Sequence, residues 1–96
     1  MNITESPKYA KMCAEYLTFT KIELDALKFS IEQADFEQVH NIGHKIKGTS
    51  GAYQLSDISR AAEKLQLTAD SKDAAGLEPA FNELYELVEN TLQKYE

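Results

Sequence analysis

The chain is poor in the residues that break and staple structure. Four glycines and two prolines in 96 residues are about half of average usage, so tight turns are few and long elements are expected. The one cysteine, Cys13, excludes an internal disulfide and a multi-cysteine zinc site; it reads as a small buried apolar side chain. Basic residues are in deficit: ten Lys and Arg face sixteen Asp and Glu, a formal net charge of −6. Nucleic acid and anionic membranes both call for a net basic footprint, so neither is an expected partner. No apolar run approaches the ~18 residues of a membrane span, and the opening segment MNITESPKYAKM lacks the apolar stretch of a signal peptide. With 43% hydrophobic and 27% charged residues, the composition is that of a globular chain. The expectation is one soluble, cytoplasmic domain over residues 1–96. A start at Met1 without linker sequence favours a free-standing protein, with a domain of a larger protein as the other reading, and no spare heptad seam stands out, so a monomer is expected.

What is present is helical spacing. Ser6-Pro7 is an N-cap followed by proline in the first turn, and Tyr9, Met12, Cys13, Tyr16 and Leu17 recur behind it, predicting a helix over about 7–17. Thr20 with Glu23 forms a capping box, and Phe19 with Leu24 a hydrophobic staple. These predict a second helix over about 21–34, with Leu24, Leu27 and Ile31 inward. Asp35 and Gln38 open a third, from Phe36 to about Tyr53. Ser56 caps a fourth, about 57–71, burying Ile58, Ala62, Leu65 and Ala69. The last carries Leu77, Phe81, Leu84, Val88, Leu92 and Tyr95. Starting it at Asp73 puts Pro79 inside; starting it at Pro79 leaves Leu77 in a loop. Strand-like alternation, repeats and low complexity are absent. The expected fold is all-α: an antiparallel up-down four-helix bundle with a short additional N-terminal helix.

The third helix carries the chemistry, in the string HNIGHKIKGTSGAYQL from His40 to Leu55. At about 100° per residue, Val39, Ile42, Ile46 and Tyr53 mark its buried side and His44 points the opposite way. Glu37, Asn41, Gly48 and Gly51 share the outer face with His44. Lys47 follows one turn later, rotated by roughly 60°. Three of the four glycines, Gly43, Gly48 and Gly51, lie in this one helix, each costing about 1 kcal/mol relative to alanine in a helix interior. Gly48 is the informative one. Side chains lean toward the helix N-terminus, so the residue at i+4 normally covers the spot beside residue i; a glycine there leaves the imidazole approachable, and Gly51 extends the bare strip. Residues 38–56 contain no Asp or Glu but hold both histidines, Lys45 and Lys47. A locally positive, open site suits a phosphoryl acceptor. An ordinary imidazole, with a pKa near ~6.5, is mostly neutral at pH 7 and offers a nucleophilic nitrogen. The product adds about two negative charges, which Lys47, and less directly Lys45, can offset.

The string His44-Lys45-Ile46-Lys47-Gly48-Thr49-Ser50 resembles the motif of histidine-containing phosphotransfer (HPt) domains, His-x-Leu-Lys-Gly-x-Ser and close variants. Ala34-Asp35 before the motif helix and Ala61-Ala62-Glu63-Lys64-Leu65 after it extend the resemblance over about 10–95. The resemblance implies a four-helix-bundle phosphocarrier of a His–Asp phosphorelay. His44 is then the phosphorylated residue, Lys47 stabilises the phosphoryl group, and Gly48 gives access. Gln66 on the next helix is the polar side chain that orients the other ring nitrogen. Implied partners are receiver domains of response regulators or a hybrid histidine kinase, docking partly on the first helices. Mg²⁺ comes with the receiver, and the carrier needs no cofactor of its own. Two departures stand out: Gly43 replaces a common alanine before the histidine, and a glycine frequent beyond the motif is replaced near Gln54.

Blander readings accompany these. His44 as an inert surface histidine leaves the glycine strip and the acid-free window as coincidences. His40 and His44, four apart, have metal-ligand spacing, but Glu37 and Asn41 do not complete a zinc site. His40 reads as a solvated neighbour tuning the site, Ser50 as a small packing residue, and Tyr9, Met12 and Tyr16 as core. No Gly-rich phosphate loop or carboxylate cluster for Mg²⁺ is present, so neither ATP binding nor enzymatic turnover is expected. The alternative from another class is an unphosphorylated helical adaptor with the same fold.

Overall fold

Ser6 opens the first helix as its sequence context requires. Its hydroxyl accepts the Tyr9 N–H at 3.0 Å, and Pro7 occupies the first turn, where a missing N–H costs nothing. In the computed structural model, which describes residues 6–96, four helices follow one another: α1 (Pro7–Glu32), α2 (Phe36–Ala52), α3 (Ser56–Asp70) and α4 (Ala74–Tyr95). Each packs against its neighbours in sequence, and α4 closes the ring against α1. The result is a rod of 43 × 18 × 17 Å, about the length of α1 alone at 1.5 Å per residue.

The separate N-terminal helix does not form; residues 7–32 are one helix. Thr20 caps nothing. Its buried hydroxyl donates to the Tyr16 carbonyl at 2.8 Å, a bond internal to the helix. Nor do Phe19 and Leu24 make a staple: Phe19 is exposed and Leu24 fully buried. An unbroken stripe of Tyr9, Cys13, Leu17, Thr20, Leu24 and Leu27 faces the core. At ~1.5–3 kcal/mol for a fully buried aliphatic side chain, that stripe outweighs a local capping signal.

Two other caps fall where expected. Asp35 accepts the Gln38 N–H and Asp73 accepts the Gly76 N–H. The start at Asp73 puts Pro79 inside α4, on its exposed side, while Leu77 one turn in is completely buried. Proline therefore forfeits one backbone hydrogen bond, and burial of Leu77 offsets it. Ser56 is the first helical residue of α3 rather than its cap, and no side chain caps that end.

The three joints are built alike. Ala34, Gln54 and Lys72 take φ of 51°, 63° and 55°. The following residues, Asp35, Leu55 and Asp73, each return an N–H to a carbonyl five residues back, the Schellman ending. Gln54, near which the resemblance leads one to expect a glycine, thus holds the left-handed turn that a glycine holds without strain.

The core is Leu17, Leu24, Val39, Ile46, Ile58, Leu65, Leu77, Leu84 and Val88, with Cys13 buried among them. Of Tyr9, Met12 and Tyr16, Tyr9 is buried and Tyr16 half-buried, whereas Met12 is exposed. Met12, Phe19, Ile22 and Phe29 are exposed on α1 at helical spacing, a spare apolar stripe.

Candidate functional site

α2 faces the core with Val39 and Ile46, flanked by half-buried Ile42 and Tyr53. His44 is exposed on the opposite side together with Glu37, Asn41, Gly48 and Gly51. A Cβ placed on Gly48 would meet nothing within 4 Å, and one on Gly51 would meet only the Ser59 hydroxyl at 3.6 Å. The strip beside the imidazole is bare, as the spacing predicts.

Gly43 does a different job. It is buried, and an added Cβ would lie 3.2 Å from the Ala62 carbonyl oxygen and 3.2 Å from the Gln66 backbone nitrogen. Its missing side chain lets α3 approach α2, and that contact carries Gln66 to the level of the histidines. Ser59 ties the same two helices together by donating to the Lys47 carbonyl at 2.9 Å. Thr49 and Ser50 belong to packing. Ser50 is buried with its hydroxyl on the Ile46 carbonyl, and the Thr49 hydroxyl pairs with Tyr16 at 2.6 Å.

The expected positive potential is not free. Lys47 Nζ lies 2.7 Å from Glu63 Oε2 on α3. Lys45 Nζ lies 2.7 Å from Glu23 Oε2 on α1 and sits over the Phe19 ring. His40 Nδ1 lies 2.6 Å from Asp70 Oδ1 at the end of α3. The acid-free window is a property of the chain in one dimension; in three dimensions each of its cations meets a carboxylate from a neighbouring helix. Sequence reasoning missed Glu23, Glu63 and Asp70. A signal existed for the α3 pair, because Glu63, Gln66 and Asp70 recur at three and four residues and so share the side of α3 that Gln66 turns to α2.

His40 and His44 stack one turn apart, their rings within 3° of parallel and 6.0 Å between centroids. Gln66 is half-buried, and its Oε1 is buried without a hydrogen-bond partner. It makes no hydrogen bond to the His44 ring, so the expected orienting contact is not formed in this state. Among the described residues no three His, Cys, Asp or Glu side chains are grouped to hold a metal ion, and no helix is long and apolar enough to cross a membrane.

This arrangement presents a solvent-facing imidazole with open approach, a lysine one turn after it and, on the neighbouring helix, an unsatisfied buried acceptor on Gln66. The family model described as Hpt domain matches residues 5–95. No curated protein and no solved structure shows significant similarity to the chain.

Proposed function

The chain belongs to the Hpt domain family, and from that premise we propose that His44 carries a phosphoryl group between receiver domains. Hpt domains act in phosphorelays, together with receivers and kinases. In this reading a bare nitrogen of the neutral His44 ring attacks the phosphorus of a receiver's aspartyl phosphate. The N–P bond forms as the P–O bond to the aspartate breaks, and the carboxylate leaves with the electron pair. The proton on the other ring nitrogen stays, and the reverse step loads a second receiver. Phosphoryl transfer depends mostly on positioning and charge compensation, so the open space over Gly48 is the observation that carries the proposal.

Lys47 serves by exchange. Its pair with Glu63 is partly exposed, and such pairs are worth only ~0–1 kcal/mol, so a phosphoryl dianion can draw the ammonium away. Gln66, whose Oε1 is buried and unpartnered, offers an acceptor for the N–H on the other side of the His44 ring. Phe19, beside Lys45, continues the acceptor face into the exposed stripe of α1, which offers a receiver an apolar surface to dock on. The chain works as a covalent carrier without nucleotide chemistry of its own.

The test is incubation with a receiver phosphorylated on its aspartate. Acid-labile, base-stable label should appear on His44 and vanish in His44→Gln. A folded wild-type protein that takes up no label from receivers or from phosphoramidate would overturn the proposal in favour of an adaptor.

A further inference from the structure

His40 is the second imidazole of the acceptor face, and the transfer chemistry above leaves it without a task. It is not free in solvent. Its Nδ1 lies 2.6 Å from Asp70 Oδ1, with both side chains less than half exposed, a short hydrogen bond. Asp70 is the last residue of α3, where the macrodipole disfavours an anion, and the contact with His40 gives its carboxylate a partner from α2. The contact also fixes the ring: Nδ1 turns toward α3, and the opposite edge, with Nε2, turns away from it. That ring lies parallel to His44, one turn before it, while Lys47 lies one turn after. The two flank His44 from opposite ends.

We propose that His40, oriented by Asp70, holds the phosphoryl group on His44, donating its Nε2–H to a phosphoryl oxygen while Nδ1–H stays on the Asp70 carboxylate. The inference rests on the carrier reading of His44. His40 contributes a hydrogen bond and positive charge only; no bond to phosphorus forms or breaks at it, and the electron pair follows the transfer already described. Asp70 is a positioning residue acting through His40. The phosphoryl group is then gripped by an imidazole on one side and Lys47 on the other, and its lifetime on His44 is set partly by a residue outside the family-like motif.

The experiment uses the full chain, loaded with phosphoramidate and followed by ³¹P NMR together with loss of phosphohistidine over time. His40→Ala and Asp70→Asn should each shorten the lifetime of phospho-His44 by about fivefold, the scale of a partly exposed charge contact. The double variant should lose no more than either single one, because the two residues act as one unit. The phosphohistidine resonance should move in His40→Ala, where an oxygen loses its donor. His40→Lys should restore most of the lifetime, which a merely structural defect would not allow. Phospho-His44 that forms with the same lifetime and resonance in every variant would overturn this inference alone. A wild-type chain that never forms phospho-His44 would take the carrier reading down with it.

Discussion

Beside His44 the decisive neighbour is a side chain that is missing. A Cβ at position 48 meets open space, so Gly48→Ala should gain about 1 kcal/mol of helix propensity and raise the Tm by ~4–8 °C. Gly48→Leu should keep the fold but lean over the imidazole and slow transfer from a phosphorylated receiver at least about tenfold, the scale of a 1.4 kcal/mol barrier. Thermal melts and transfer rates on the same samples separate the two effects; unchanged transfer in the leucine variant would remove the access argument. Lys47 gives the converse experiment. Glu63→Gln releases its ammonium from a 2.7 Å pair, so phosphohistidine should form a few times faster and decay more slowly, by the ~0.2–1 kcal/mol of such a contact. Stopped-time labelling checks it, and slower formation would show that Glu63 positions the lysine instead of competing for it. The outward histidine, Gly48 and Lys47 were legible because they follow from spacing along one helix. The carboxylates that hold the cations were not, since they arrive from α1 and α3 and depend on how the helices are aligned.

The elements were legible wherever burial and capping agree. Asp35 and Asp73 cap as their sequences suggest, and the stripes of α3 and α4 face inward as their periodicity requires. Thr20 misled because a capping box records a local option, whereas the apolar stripe through Leu17 and Leu24 continues across it. The joints gave no glycine signal at all, yet all three adopt the same left-handed ending, with Ala34, Gln54 and Lys72 at positive φ. A non-glycine residue there is strained by ~1–2 kcal/mol. Ala34→Gly, Gln54→Gly and Lys72→Gly should therefore each stabilise the bundle by about 0.5–1 kcal/mol after the added chain entropy of glycine is deducted. Urea unfolding of the single variants and the triple tests this, and near-additivity is expected because the joints are separate. Destabilisation by any of the three would mean that the side chain at that joint holds it by contacts worth more than the strain.

For the whole molecule the long pair α1 and α4 acts as the frame on which α2 and α3 present the His44 face, and a polar clasp joins the two. The Tyr85 hydroxyl donates to Asp25 Oδ1 at 2.8 Å, with Lys28 close to both. That hydrogen bond, aided by Lys28, holds the Asp25 carboxyl below its ordinary 3.8, and the same bond raises Tyr85 from 10.0 to about 12. A depressed carboxyl contributes stability that is present above its ordinary pKa and lost as pH falls through the folded value. A raised phenol contributes stability that is present below 10.0 and lost as pH climbs toward about 12. The clasp therefore works at full strength between about pH 4 and pH 10. Tyr85→Phe should cost at most about 1 kcal/mol across that range, since the pair lies in solvent. The difference from wild type should shrink on acidification below pH 3.8, as Asp25 takes up its proton. Chemical denaturation at stepped pH reads this directly. A Tyr85→Phe deficit that stays constant into acid would show that the hydroxyl does not act through the Asp25 carboxylate, since the ring and its contact with Phe81 are kept in the variant. The His44 face should be unaffected in either case, because the clasp joins α1 to α4 whereas that face is built on α2 and α3.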